Sequence, residues 1–238
     1  MSLPAALNER VLDRLLAATE LSPIADTDLT SPMSPAPVGR LRTFGPAASE
    51  PAGDARPAKV VAVSLVVPMI GLDSHMIFAF TRPESAVPHF TLDAVASADY
   101  HAMHLDLIPR LELATHLGYL DACFLPLTEP LEAAWRIDGV SPAAIGPRQR
   151  AMMSPWMVVC RATEDAFAKL GPTVDTYLDH WLSLLEAGVP DQGDTDLAAR
   201  DTANRANLFS PEVDPVWHQV TRLIGAEQSD LVRGELIS

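Results

Sequence analysis

Four ionisable side chains occur as two closely spaced pairs in this chain. His89 and Asp93 form the first pair, and His104 and Asp106 form the second. Residues separated by an even number of positions project to the same face of a β-strand, so each pair shares a face if its segment is extended. Two imidazoles and two carboxyl groups gathered on one surface indicate a site that transfers protons.

Both segments alternate polar and apolar residues, as strands with one buried face do. The strands are Pro88–Val95, with Phe90, Leu92 and Ala94 on its apolar face, and Met103–Arg110, with Met103, Leu105 and Leu107 on its apolar face. Residues 96–101 between them are few enough for a hairpin loop. A turn centred near Ala98 and Asp99 places Asp93 opposite His104. The same register places Thr91 opposite Asp106, so the polar rows of both strands lie on one face of the sheet.

The overall composition excludes several classes of function. The chain has 238 residues, of which 48% are hydrophobic and 20% are charged, so we expect a folded domain with a sizeable core. Its net charge of −14 argues against nucleic acids and anionic membranes as partners, since both select for clustered Lys and Arg. A composition rich in Ala and Pro and poor in Lys is typical of a high-GC bacterium.

Other sequence features predict a soluble, cytoplasmic protein. Cys123 and Cys160 stand far apart without a metal-binding spacing, which favours buried, reduced thiols. Residues 1–19 lack the basic start and the apolar block of a secretory signal. The most apolar run, residues 60–70, is too short to span a bilayer and contains Pro68.

Hydrophobic periodicity predicts an α+β fold, with an antiparallel sheet covered by helices. The predicted helices are Ala5–Glu20, Leu111–Leu120, Glu129–Trp135, a long helix that starts at Pro172, Thr195–Asn207, Pro215–Ile224 and Ser229–Ile237. The further predicted strands are Val60–Val67, Met76–Phe80 and Trp156–Arg161. Because Ser31–Pro57 is rich in Pro, Ala, Ser and Gly, we expect it to form a loop. Residues 1–58 are therefore predicted as an N-terminal helix with a Pro-rich connection, and residues 59–238 as the main domain.

Motifs for common cofactors are missing from the sequence. It has no Gly-rich phosphate loop, no nucleophile elbow and no His-Glu-x-x-His. A metal site that combines Asp93 with His75, His89 or His104 is an alternative use of the same side chains, although His and Asp also meet by chance. If the protein does redox chemistry, its electrons come from another molecule.

Several segments taken together resemble a known family. They are Pro-His-Phe-Thr-Leu-Asp (88–93), Leu-Asp-Leu-Ile-Pro-Arg (105–110), Ser-Pro-Trp-Met-Val-Val-Cys-Arg (154–161), and Glu-Val-Asp (212–214) with the following Leu-Ile-Gly (223–225). In order and spacing they resemble red chlorophyll catabolite reductase of plants, which belongs with the ferredoxin-dependent bilin reductases. No single segment is diagnostic, so the resemblance depends on all of them together.

The resemblance implies an α/β/α sandwich in which an open-chain tetrapyrrole lies between a central antiparallel sheet and the C-terminal helices. Such enzymes carry no flavin, nicotinamide or metal. Ferredoxin delivers single electrons, and the protein supplies protons to the substrate radical. Because ferredoxin is acidic, its docking needs a local basic patch. The candidates for that patch are Arg40, Arg42, Arg56 and Lys59.

The resemblance also implies roles for individual residues. Asp93 falls where the family has a proton-donating acid, and burial beneath a flat apolar ligand would raise its pKa. Asp214 falls at a second functional acid, although an Asp before Pro215 is also a typical helix N-cap. His104 and Asp106 would orient or reprotonate Asp93. The expected substrate-binding residues are His89, Thr91, Arg148 and Arg150.

The chain departs from the family on its early buried strand. The run Val63-Ser64-Leu65 has no counterpart of the bilin reductases' histidine on that strand, so the bond that is reduced could differ.

The leading hypothesis is a ferredoxin-dependent reductase of a linear tetrapyrrole. The second is a non-catalytic binder or carrier of such a pigment, and the third is an α+β protein that kept the fold and changed its ligand. The sequence leaves open whether the chain forms a homodimer.

Overall fold

An eight-stranded antiparallel sheet runs through the computed structural model, which describes residues 1–47, 56–190 and 194–238. The strands are β1 (Ser22–Ser31), β2 (Ser34–Gly45), β3 (Lys59–Val67), β4 (Leu72–Phe80), β5 (His89–Ala96), β6 (His101–Ile108), β7 (Val140–Pro142) and β8 (Val158–Ala162). Their order across the sheet is β1-β2-β3-β4-β5-β6-β8-β7. Strands β1 to β6 therefore form a meander, and β5 and β6 lie side by side within it.

Helices cover both faces of this sheet. They are α1 (Leu3–Thr19), α2 (Leu117–Cys123), α3 (Thr128–Trp135), α4 (Pro147–Arg150), α5 (Glu164–Phe167), α6 (Gly171–Ala187), α7 (Leu197–Leu208), α8 (Val216–Ile224) and α9 (Ala226–Ile237). Helices α1 and α6 pack into a core on one face, and α7, α8 and α9 pack into a second core on the opposite face. The predicted α/β/α sandwich with a central antiparallel sheet is confirmed.

The core beneath α1 and α6 fixes the apolar side of β5. Along α1, a stripe at helical spacing is buried: Leu7, Val11, Leu12 and Leu15. From α6, the fully buried ring of Trp181 lies with its centroid 5.7 Å from that of Phe90. The indole Nε1–H of Trp181 donates to the carbonyl oxygen of Pro88 at 2.7 Å, so the buried ring keeps its hydrogen bond. With Phe90 held on this side, the polar residues of β5 must face α7, α8 and α9.

The prediction of a loop over Ser31–Pro57 is wrong for residues 34–45, which form β2 and pair with both β1 and β3. Pro and Ser are poor strand formers, and they suggested a loop. Pro35 and Pro37 fall where the pairing of β2 with β1 is irregular, so their missing N–H groups do not interrupt the regular ladder. Residues 48–55 of the predicted loop lie outside the described residues.

Most other predicted elements are confirmed with small shifts at their ends, but the helix predicted at Leu111–Leu120 is wrong in its first half. Helix α2 begins only at Leu117. Leu111 is fully buried in the core, and the next residues turn, with the Thr115 N–H donating to the Glu112 carbonyl oxygen at 3.4 Å. Leu111 is therefore buried as a continuation of the chain that leaves β6, and residues 111–116 do not form the first turns of a helix.

The cysteines are free and buried, as predicted. Burial raises the pKa of the Cys123 thiol to about 12 and that of the Cys160 thiol to about 11. Both thiols therefore stay protonated at neutral pH. Among residues 1–47, 56–190 and 194–238, no helix has the length and apolar character needed to cross a membrane.

A buried cluster of charges ties α7 to the sheet. Asp201 Oδ1 lies 2.8 Å from His89 Nε2 and 3.4 Å from Arg110 Nη2. Asp201 Oδ2 lies 3.7 Å from Arg205 Nη1. Because the Thr81 N–H donates to His89 Nδ1 at 3.1 Å, the imidazole proton is on Nε2, which donates to Asp201. Burial lowers the pKa of His89 to about 4, so its ring is neutral at neutral pH. The Asp201 carboxylate therefore accepts a hydrogen bond from a neutral imidazole and balances the charge of two guanidinium groups.

We expect Asp201→Asn to lower the free energy of unfolding by about 3–5 kcal/mol, because it leaves two buried arginines without a counter-charge. Urea unfolding followed by circular dichroism measures this loss. The matched control is Asp175→Asn, which removes ion pairs between the surface residues Arg10, Arg14 and Asp175. That change should cost less than about 1 kcal/mol. Equal losses in the two variants would contradict a stabilising role for the buried cluster.

Candidate functional site

The register of the β5–β6 hairpin matches the prediction residue for residue. Asp93 pairs with His104, and Thr91 pairs with Asp106. Strand alternation places these four side chains on the sheet face that α7, α8 and α9 cover. The result is a compact square of polar groups on an otherwise apolar surface.

Two small cavities lie between this polar square and the C-terminal helices. The first has a volume of about 80 Å³ and is lined by Met76, Phe78, Thr91, Asp93, His104, Gln149, Met153, Leu208, Phe209, Asp214, Val216 and Trp217. The second has a volume of about 90 Å³ and is lined by Val63, Leu65, Ser74, Met76, Asp93, Val216, Trp217, Val220, Ile224 and Val232. Asp93 borders both cavities, and the remaining walls are mostly apolar or sulfur-containing.

In the part of the chain that the structure describes, three polar atoms of the square are buried without a hydrogen-bond partner. They are Thr91 Oγ1, Asp93 Oδ1 and His104 Nε2, and all three residues line the first cavity. A buried polar group without a partner costs roughly 1–3 kcal/mol, so proteins rarely keep several together. These atoms therefore offer hydrogen-bonding positions to a polar ligand or to water.

Asp93 is the acid that the geometry favours as a proton donor. Burial, with a smaller contribution from the nearby charge of Asp214, raises the pKa of Asp93 to about 7. The partial exposure of the Asp93 side chain is toward the cavities that it borders. A carboxyl group with this pKa is half protonated near neutral pH, where it can both give up and regain a proton.

Asp214 faces Asp93 from the loop that leads into α8. Its Oδ1 accepts a hydrogen bond from the Val216 N–H at 3.0 Å in a local turn, and its Oδ2 accepts from Gln149 Nε2 at 3.2 Å. Burial raises the pKa of Asp214. The N-cap of α8 is Pro215, so Asp214 stands one residue before the cap, and its side chain lines the first cavity.

His104 borders the first cavity from the strand next to Asp93. Burial lowers the pKa of His104 to about 4, so its ring is neutral at neutral pH. A neutral imidazole can accept or donate one hydrogen bond without adding charge to a site that already holds two carboxyl groups. His104 is therefore suited to orienting Asp93 or a ligand.

Asp106 lies on the same face but is held away from the cavity. Its Oδ1 accepts a hydrogen bond from Ser154 Oγ at 2.5 Å, and its Oδ2 accepts from the Ser154 N–H at 2.9 Å. Burial raises the pKa of Asp106 to about 7, and the bonds from Ser154 oppose that rise. Both oxygens are engaged and Asp106 does not line either cavity, so the geometry favours a structural role that fixes β6 against residues 151–157.

The predicted substrate-binding residues divide into two groups. Thr91 lines the first cavity, as expected. His89 does not, because Asp201 and Thr81 occupy both of its ring nitrogens. Arg148 and Arg150 are exposed and line neither cavity, and Arg148 Nη1 donates instead to the Glu212 carbonyl oxygen at 3.2 Å. These three predictions are therefore not supported by the geometry.

The histidines considered for a metal site are separated in the fold. His104 faces the first cavity, His89 bonds to Asp201, and His75 Nε2 lies 2.5 Å from Asp73 Oδ1. Because Ser74 lines the second cavity, strand alternation turns His75 to the opposite face. Within the described ranges, no three His, Cys, Asp or Glu side chains are grouped as metal ligands.

Comparison with known proteins gives one informative result. No family model matches the chain, and no curated protein matches it. A crystal structure of phytochromobilin synthase from tomato in complex with biliverdin matches with a TM-score of 0.73 at 18% identity, covering 98% of this chain and 83% of the other. This chain has the same fold. At that level of identity the match establishes the fold and leaves the activity to be argued from the site.

Sequence reasoning missed three residues that build the site. Gln149 lies between the two arginines of α4 and reaches Asp214, whereas the arginines point to solvent. Ser154 holds Asp106, and Trp217 closes the cavities from α8. The only sequence signal was the apolar stripe of α8, which indicated a buried face without indicating what it covers.

We expect Asp93→Asn to stabilise the protein at pH 8 more than at pH 5. In the folded protein the pKa of Asp93 is about 7, above its usual value of 3.8, so the wild-type protein loses stability as the pH rises between these values. An amide does not ionise, so the variant should gain on the order of 2 kcal/mol at pH 8 relative to wild type. Thermal unfolding across this range measures the difference.

The matched control is Asp99→Asn in the exposed turn between β5 and β6. Its melting temperature should follow the wild-type curve at every pH. A pH-independent difference between Asp93→Asn and wild type would show that Asp93 is not a buried acid with a raised pKa.

Proposed function

We propose that this protein binds a linear tetrapyrrole against the sheet face that carries Asp93 and His104, and reduces it with electrons from ferredoxin. The observation that carries the proposal is the group of unpartnered polar atoms on Thr91, Asp93 and His104. They lie on the floor of an apolar cleft between the sheet and the C-terminal helices. The protein whose fold matches this one was crystallised with biliverdin.

The chemistry of such a pigment suits this site. An open-chain tetrapyrrole has a flat apolar framework with pyrrole N–H donors and lactam carbonyl acceptors. Phe78, Phe209 and Met153 offer apolar contacts to the framework. When it is ionised, Asp93 can accept hydrogen bonds from pyrrole N–H groups. When it is protonated, it can donate a hydrogen bond to a lactam carbonyl oxygen or transfer its proton to a carbon.

The proposed reaction balances two electrons with two protons. Reduced ferredoxin supplies the electrons one at a time, and each makes the bound conjugated system more basic. The Asp93 carboxyl group donates one proton to the reduced substrate and becomes a carboxylate. A second proton, from Asp214 or from Asp93 after it has regained a proton from water, completes the conversion of one C=C bond to CH–CH.

Asp214 and His104 have supporting roles in this scheme. Asp214 lies at the cavity wall and is less deeply buried than Asp93, so it is the better placed of the two acids to exchange protons with solvent. A negative charge on Asp214 also helps to hold the proton on Asp93. Neutral His104 orients Asp93 across the strand pair and leaves the total charge of the site unchanged.

Docking of an acidic ferredoxin needs basic side chains whose charge is available at the surface. The four basic residues considered for docking are each paired with a carboxylate: Arg40 with Asp26, Arg42 with Glu9, Arg56 with Glu20, and Lys59 with Glu235. Their charges are thus neutralised within the chain, which weakens attraction for an acidic ferredoxin. This observation favours a second candidate function, a tetrapyrrole-binding or carrier protein that does no reduction.

A spectroscopic assay separates the two candidates. Purified protein is mixed with biliverdin, and the visible spectrum is recorded before and after reduced ferredoxin is added. We expect a red shift on binding, and then bleaching or a blue shift only when the reductant is present. A red shift that never changes with reduced ferredoxin would support the binder, and an unchanged spectrum throughout would contradict both functions.

We expect Asp93→Asn to bind biliverdin and to slow its reduction by at least about 100-fold, because the carboxyl proton is lost while the cavity keeps its shape. Single-turnover absorbance kinetics measure the rate, and Asp99→Asn is the matched control outside the site. In wild type, the rate should fall about tenfold per pH unit well above pH 7, as Asp93 ionises. Full activity of Asp93→Asn would refute the role given to this acid.

A further inference from the structure

Trp217 separates the two cavities above Asp93. Both cavities are lined by Trp217, Val216, Met76 and Asp93, so these residues form their common wall. Trp217 has the largest side chain of the four and is only 6% exposed. Its ring centroid lies 6.3 Å from that of Phe209 at an interplanar angle of 81°, which is an edge-to-face contact.

The cavities as they stand are too small for the proposed ligand. Their volumes are about 80 and 90 Å³, whereas pockets that enclose a ligand of drug size measure roughly 300–1,000 Å³. A linear tetrapyrrole is at least that large and cannot occupy either cavity alone. Something in the common wall must therefore move before such a ligand can reach Asp93.

We propose that Trp217 is this moving part: its indole fills the ligand's place above Asp93 and must leave for a linear tetrapyrrole to bind. This inference rests on the proposed function, because it concerns access to the same site. Trp217 thereby determines the size of ligand that the protein accepts. With the indole in place only water or small molecules fit, and with the indole displaced the two cavities become one cleft.

The other members of the common wall are less suited to this role. Asp93 is fixed on the central strand β5 by pairing on both sides. Val216 is 43% exposed, so much of its side chain lies outside the cavities. Met76 has a smaller side chain than Trp217, so a change of its rotamer frees less space. Removal of the indole is thus the change that joins the cavities most directly.

The surroundings of Trp217 allow it to move. It belongs to the first turn of α8, where the helix is attached by the contacts of Asp214 with Gln149 and Val216. The edge-to-face contact with Phe209 adds little to what burial of the ring contributes. A ring of a bound pigment can replace the indole in the contact with Phe209, so the free energy lost when the indole leaves is offset when the pigment binds.

The experiment measures how fast biliverdin binds to wild type, Trp217→Ala, Trp217→Phe and Trp135→Ala. Trp135→Ala is the matched control, because Trp135 packs with the core on the opposite face of the sheet. Stopped-flow absorbance follows binding as the biliverdin concentration is raised. In wild type the observed rate should reach a plateau set by the opening step, since the ligand waits for the indole to leave.

We expect Trp217→Ala to abolish the plateau and to raise the association rate by about tenfold or more, with Trp217→Phe intermediate and Trp135→Ala like wild type. Binding at the same rate to wild type and both Trp217 variants would overturn this inference and leave the proposed function standing. Absence of binding to every protein would overturn the proposed function, and the inference with it. If Trp217→Ala fails to fold, the wild-type plateau and the Trp217→Phe rate decide the question.

Discussion

The pairing of β5 with β6 is the constraint on which the site depends. A strand presents alternate residues to opposite faces, so a slip of one residue would bury Asp93 among the leucines beneath α6. Phe90 and Trp181 prevent that slip from one side of the sheet, because the buried indole fits only against the apolar face of β5. The same contact that completes one hydrophobic core therefore aims a carboxyl group into the other.

The elements that local pattern determines could be predicted from the sequence. Strict alternation identified β5 and β6 and even their register, and the apolar stripes identified α1 and α6. The strand β2 could not be predicted, because its stability comes from hydrogen bonds to β3, with Leu41 pairing with Val63 across the ladder. Propensity argued against a strand there, and tertiary pairing outweighed it.

The functional site was predictable to a similar extent and for similar reasons. Asp93 and His104 come from one hairpin, so their meeting followed from local geometry. Partners distant in sequence could not be foreseen: Ser154 engages Asp106 across 48 positions, and Asp201 engages the His89 ring across 112. Each of those contacts removes a side chain from the cavity that spacing alone had placed there.

The first strand of the sheet also limits how copies of this protein can associate. Among the described strands, β1 has β2 as its one neighbour, so its outer backbone groups are open to pairing with another strand. Pro23 lacks an N–H, and Asp28 adds a negative charge along this border, whereas the charge of Asp26 is balanced by Arg40. Both features oppose the addition of another strand. Continuation of the sheet through β1 from one molecule into the next is therefore disfavoured.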